Sequence, residues 1–218
     1  MTETTDRDTA PATAPGRPAD RGAGRAAGTG RAPGRPRSER AEKAIIEATL
    51  DLLGAESGVD GVSIEAVAAR AGVGKTTIYR RWPNKEALIV GALAEAKPPL
   101  PEPAGESVRA DLVALASALA ADRRAKYGRC FWNVVGSAEK YPGLYARYQQ
   151  DVIEPRREII RGVLRRGVES GELRADLEFE VAVAMLVGPF SVKTPRNRLP
   201  AGYPEAVVDT LLRGVSAG

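Results

Sequence analysis

Residues 63–85 read SIEAVAARAGVGKTTIYRRWPNK, and this stretch constrains the fold more than any other. Ser63 is a helix N-cap residue, and Ile64, Val67, Ala68 and Ala71 follow at i, i+3, i+4 and i+7, an apolar stripe that buries one helical face. Gly72-Val73-Gly74 allows a tight turn, because glycine takes positive φ at little steric cost, and Val73 can fall back between the helices. Lys75 then opens a second helix in which Ile78 and Trp82 point inward, leaving Lys75, Thr76, Thr77, Tyr79 and Arg80 on the outer surface. Pro83 stops that helix and Asn84 caps a third.

Charge sharpens this reading. Between residues 66 and 85 the charged side chains are Arg70, Lys75, Arg80, Arg81 and Lys85 with no acid among them, in a chain whose 32 basic and 28 acidic residues nearly balance to a net charge of +4. Such a positive face suits phosphates. A solvated helix surface would account for the charges alone, but not for the cap, the glycine turn and the inward aromatic together. The pattern is a helix-turn-helix, and double-stranded DNA is the expected partner.

Residues 73–88, VGKTTIYRRWPNKEAL, resemble the recognition-helix signature of the tetracycline-repressor (TetR) family: a valine, small polar residues, an aliphatic-tyrosine pair, an aromatic, then a Lys-Glu-x-Leu helix start. The close match covers residues 41–88, and the remainder corresponds in its all-helical layout. Gly74 stands where relatives often carry serine, and Arg80-Arg81 where they carry an aromatic or histidine, departures that bear on the operator sequence. The resemblance implies an all-α fold, with an N-terminal three-helix DNA-binding head and then a helical ligand-binding and dimerisation bundle. It implies a repressor that binds a near-palindromic operator as a homodimer and is released by a small-molecule effector. By that resemblance and their outward positions, Lys75, Thr76, Thr77, Tyr79 and Arg80 form the operator face, and Ser63 and Lys85 hold phosphates. Thr77 and Arg80 are the candidates for base edges, since a threonine methyl can meet thymine and arginine can pair bidentately with guanine. Tyr79 and Lys85 position the protein.

Other functions fit less well. Gly72-Val73-Gly74-Lys75-Thr76 also resembles a nucleotide phosphate-binding loop, but Ala69 occupies the first glycine position and the preceding residues have helical spacing where a strand is required. No enzyme is expected, because no nucleophile-base pair or cofactor loop is visible and the chain has no histidine. No metal and no cofactor are expected for the same reason, the single Cys130 reading as a small buried hydrophobe. No signal peptide is evident at the start, and the longest apolar run, residues 181–187, is too short to span a bilayer. No membrane association and a cytoplasmic location are the expectation.

Residues 1–37 are dominated by Ala, Gly, Pro, Thr and Arg, and a disordered Arg/Pro/Gly-rich arm is expected there. Pro33-Gly34-Arg35-Pro36-Arg37 resembles the Gly-Arg-Pro core of minor-groove hooks, making Arg35 and Arg37 candidate minor-groove contacts; a merely solubilising tail is the alternative. A dominant arm would make the chain an architectural or nucleoid-type DNA binder, the second function class to weigh against the regulator.

The head is expected over residues 38–97, its first helix over 38–57 and its last running to residue 96 before the Lys97-Pro98-Pro99-Leu100-Pro101 break. Residues 98–218 show helical periodicity over 108–121, 127–139, 142–170, 176–192 and 204–215, with Pro155 expected to kink or divide the third block and Asp176 to cap the fourth. The scarce aromatics supply candidates for an effector pocket: Tyr127, Phe131, Trp132, Val135, Tyr145, Tyr148, Met185 and Phe190, which suit an apolar or aromatic ligand. The TetR resemblance places dimerisation on the last two helices, where Val181, Ala184, Gly188, Val207, Leu211, Leu212 and Val215 offer apolar surface with small residues for close approach.

Overall fold

A computed structural model describes residues 35–55, 57–122, 128–191 and 199–215, which form helices and their connections with no β-strand among them. Residues 1–34 and Tyr127 lie outside the described residues. The first helix, α1, spans Arg35–Leu53, so it takes in the last three residues assigned to the arm. Pro36 explains the earlier start, since a proline in a first turn lacks only an N–H that has no intrahelical acceptor there. Arg35 and Arg37 therefore have helical backbone; their side chains lie outside the described ones.

A 3₁₀ turn over Gly58–Gly61 leads to α2 (Ile64–Ala71), α3 (Lys75–Tyr79) and α4 (Lys85–Ala96). After the proline-rich connector come α5 (Val108–Asp122), α6 (Gly128–Gly136), α7 (Pro142–Tyr148), α8 (Glu154–Glu169), α9 (Phe179–Ser191) and α10 (Tyr203–Val215). Asp111 of α5 anchors the connector: its buried carboxylate accepts from the Ala104 N–H at 2.8 Å and the Gly105 N–H at 3.2 Å, and pairs with Arg166 of α8. A buried carboxylate needs that full set of donors to offset its desolvation.

Pro155 divides its block as expected, through a specific device. One π turn, Gln149–Ile153, separates α7 from α8, and Pro155 falls in the first turn of α8. Asp176, by contrast, does not cap the next helix. That helix starts at Phe179, the Ala182 N–H bonding back to the Glu178 carbonyl at 3.0 Å, while Asp176 pairs with Arg174 in the loop before it.

Two apolar cores hold the fold, and their boundary does not follow the chain. One combines α1, α2, α3 and α4 with Cys130 and Val134 of α6, Leu144 and Tyr148 of α7, and Val152 of the π turn. The other joins α5, α8, α9 and α10 around Leu112, Leu115, Leu164, Leu186 and Val208. Helices α6 and α7 thus share the core of α1–α4, packing on α1, α4 and the 3₁₀ turn, and not the core of the last helices. The free Cys130 belongs to this joint: its thiol donates to the Leu50 carbonyl at 3.3 Å, and burial pushes its pKa up to about 11.

Candidate nucleic-acid interface

Each part of the helix-turn-helix has a local cause. Ser63 is extended, and its hydroxyl accepts from the Ala66 N–H at 3.0 Å, satisfying one of the donors that a helix start leaves free. Gly72 adopts φ +65° and ends α2, after which the Val73 N–H returns to the Ala68 carbonyl at 3.0 Å. Ile64, Val67 and Ala68 are buried, as is Ile78 of α3, and Ala71, Val73 and Trp82 pack against them. Helix α3 is five residues long, but the chain stays wound to Trp82, whose N–H reaches the Ile78 carbonyl at 3.0 Å. The Trp82 indole then seats on α4, where Gly91 leaves room; a Cβ there would stand 2.5 Å from the indole Nε1. Asn84 starts α4 by accepting from the Ala87 N–H at 2.8 Å.

This frame leaves Lys75, Thr76, Tyr79 and Arg80 exposed, with Thr77 half-buried at their edge. Tyr79 is 50% exposed, so its ring stands on the outer face with these polar side chains. The positive face is narrower than the sequence suggests, because acids from outside residues 66–85 reach into it. Lys75 pairs with Glu65 of α2 at 2.7 Å, which raises the ammonium pKa and lowers that of the carboxyl. Arg70 pairs with Asp51 of α1 at 3.0 Å, and Arg81 with Glu42 of the same helix. Arg80 alone of the five forms no contact to a charged or aromatic group among the described residues, which leaves its whole fork available.

Lys85 is half-buried at the start of α4, and burial lowers its pKa. Its ammonium lies 5.4 Å from the centre of the Tyr141 ring, which Lys140 approaches to 5.5 Å. Asp60 of the 3₁₀ turn accepts from Lys140 at 2.8 Å and from the Tyr141 hydroxyl, which hold its carboxyl below the usual range. The turn between α6 and α7 is thereby fastened to the head. The far end of α4 is fastened too. Lys97 lies 3.6 Å from Asp122 at the end of α5, Asp122 also pairs with Arg156 of α8, and Arg156 donates to the Pro98 carbonyl at 2.7 Å.

The eight aromatic and apolar pocket candidates do not meet in one place. Phe131, Tyr145 and Tyr148 gather in the first core, and Trp132 touches it through Phe131, the two rings edge-on at 4.9 Å and Phe131 6.2 Å from Tyr148. Val135 is half-buried on the same helix as Phe131 and Trp132. Phe190 belongs to the second core, against Tyr203 at 5.8 Å, and Met185 is 52% exposed on α9. Candidates on α6 and α7 and the two on α9 share composition, but only tertiary packing decides whether they share a space.

On α9, Val181 is 56% exposed, and Ala184, Met185 and Gly188 continue its face at helical spacing. Beside it, Met185, Pro189, Tyr203, Ala206, Val207, Thr210 and Leu211 line a shallow groove of about 270 Å³ between α9 and α10. Val207 and Leu212 are half-buried, whereas Leu211 is 2% exposed and packs in the second core of its own subunit; the Val215 side chain lies outside those described. Among the described residues no group of His, Cys, Asp and Glu could hold a metal ion, and no helix is long and apolar enough to cross a membrane.

Residues 45–92 match the family described as "Bacterial regulatory proteins, tetR family", and residues 102–211 match "Tetracyclin repressor-like, C-terminal domain". The chain belongs to the TetR family. Its similarity to the HTH-type transcriptional regulator YdeS of Bacillus subtilis is 35% identity over 84% of this chain and 93% of that protein. The DNA-binding transcriptional repressor TetR of Mycobacteroides abscessus is 28% identical over 73% of this chain and 86% of its own. Among solved structures, the TetR family transcription regulator SCO0332 aligns with a TM-score of 0.58 at 29% identity, covering 82% of this chain and all of that one (100%). A TetR-family regulator from Marinobacter aquaeolei shares the fold, with a TM-score of 0.58 at 18% identity over 84% of this chain and 100% of that one. As a TetR-family member the chain is an all-α helix-turn-helix transcriptional regulator with an N-terminal DNA-binding head.

Proposed function

We propose that this TetR-family regulator is a ligand-responsive repressor that binds a near-palindromic operator as a homodimer. The observation that carries the reading is the outer face of α3, where Lys75, Thr76, Tyr79 and Arg80 stand exposed on a helix whose other side is locked by Ile78 and Trp82. Two such helices in a dimer reach successive major grooves about 34–36 Å apart. The Ser63 hydroxyl accepts within its cap and keeps its own O–H to donate to a phosphate, as a hydroxyl can do both. The relative from Mycobacteroides abscessus named a repressor favours repression as the sign of control.

The exposed stripe on α9 and its groove against α10 supply the surface for the second copy. An effector acts by preferring a dimer whose reading helices no longer fit the operator, a coupling of typically about 1–3 kcal/mol. Helix α4 carries that coupling, because it begins at the reading unit and ends in the Lys97–Asp122–Arg156 junction. The aromatic group of Phe131, Trp132, Tyr145 and Tyr148 is the effector-binding region. Its lone cysteine is no candidate nucleophile, being buried with a thiol pKa pushed up to about 11.

Selection of genomic fragments on the purified chain, followed by footprinting, tests this reading. One short near-palindrome protected at nanomolar protein is the expected result. Sequence-blind protection with a steep salt dependence would replace the repressor with the architectural binder.

A further inference from the structure

The junction at the end of α4 holds more positive charge than its partners balance. Lys97 and Arg156 share one oxygen of Asp122, with side-chain exposures of 22%, 14% and 12% respectively, so a net positive charge sits largely out of water. The Lys97 ammonium also lies 5.7 Å from the centre of the Phe131 ring, a weaker compensation than a second carboxylate. Burial lowers the Lys97 pKa, as expected for an ammonium whose desolvation is not fully repaid.

A second, independent observation lies beside it. The Tyr148 hydroxyl is fully buried and has no hydrogen-bond partner among the described residues, and the Tyr148 ring stands 6.2 Å from that of Phe131, the same ring that Lys97 faces. A buried phenol without a partner forgoes a hydrogen bond that nearly every such group makes. The Phe131 ring sets an apolar wall next to these polar groups, and Trp132 packs edge to face on it.

We propose that this junction is an anion subsite and that the effector is a small apolar or aromatic carboxylic acid. Its carboxylate shares Lys97 and Arg156 with Asp122 and so balances the second positive charge, the Tyr148 hydroxyl donates to it, and its apolar body lies along Phe131 and Trp132. The inference rests on the ligand-responsive reading and adds the effector's chemical class. It also supplies a cause for release. Lys97 is the residue that ends α4, and Arg156 grips the next residue through the Pro98 carbonyl, so an anion that redraws these pairs moves the anchor of the helix that carries the reading unit.

Calorimetric titration of the full chain with matched probes, 1-naphthoate against 1-naphthamide and benzoate against benzamide, decides the matter. The acids should bind more than about tenfold tighter than their amides, as loss of a charge-assisted hydrogen bond requires. Lys97→Gln and Arg156→Gln should erase that preference, Lys97→Arg should retain it, and Tyr148→Phe should weaken the acids several-fold while leaving thermal stability unchanged or higher. Equal affinity for acid and amide, acids that fail to bind the folded chain at millimolar concentration, or a preference that survives Lys97→Gln would each overturn the subsite. Operator release separates this failure from the broader one. Release by a neutral compound, with the acids inert, refutes the subsite and keeps the ligand-responsive reading; operator binding that no compound of a small-molecule library alters refutes both.

Discussion

Arg80 and Lys85 divide the labour of the DNA face, because one guanidinium is unpaired and exposed while the other cation is half-buried against Tyr141. Arg80→Ala should lose about 1–3 kcal/mol at one base pair and relax preference there, whereas Lys85→Ala should weaken all sequences alike and lower the salt slope by about 1. Competition binding against single-base operator variants at two salt concentrations checks both, and equal sequence-blind losses would refute the division. Cys130 gives a second residue-level outcome. With a thiol pKa near 11, about one molecule in a thousand is ionised at pH 8, so alkylation by iodoacetamide should be far slower in the folded chain than in urea. Rapid labelling without denaturant would show the thiol to be accessible. The exposed residues of α3 were legible in sequence, because helical spacing and two inward anchors define its outer face. The pairing of Lys75, Arg70 and Arg81 was not, since Glu65, Asp51 and Glu42 lie outside the acid-free window and each reaches its partner from a different helix.

Helices in the head depend on a few positions where chain direction changes. Gly72 has φ +65° with open space around its missing Cβ, so Gly72→Ala should lose about 1–2 kcal/mol from backbone conformation alone. Gly91→Ala differs in kind: its Cβ meets the Trp82 indole at 2.5 Å, and the overpacking should destabilise by about 1–3 kcal/mol while displacing the end of the reading unit. Operator affinity at matched folded fractions separates the two, falling for Gly91→Ala and holding for Gly72→Ala; chemical denaturation supplies the stabilities. Both positions illustrate what sequence can carry. A glycine ending a helical stripe announces itself, as Gly72 does, whereas Gly91 inside α4 gains its meaning from a tryptophan that only the folded chain brings to it. The same distinction separates Pro155, whose interruption of a helix is local chemistry, from Asp176, whose failure to cap follows from where the loop before α9 is held.

At the scale of the whole molecule, the two cores and the exposed face of α9 set how subunits can assemble. The all-α layout and the order of helices followed from periodicity, but the grouping of α6 and α7 with the head did not, because the apolar faces of amphipathic helices do not name their partners. Among the described residues the large exposed apolar side chains are Tyr79, Val181 and Met185, one on the reading helix and two on α9. In the proposed homodimer this face meets the identical face of a second copy, since a two-fold axis brings the same surface to itself. Arginine at both positions, Val181→Arg with Met185→Arg, places four like charges across that axis without touching either core, and repulsion then opposes association. Sedimentation should show monomers with unchanged helical circular dichroism, and gel shift should show a large loss of affinity for the full palindrome with a smaller loss for a single half-site. A variant that stays dimeric and binds the palindrome normally would place the subunit contact away from α9.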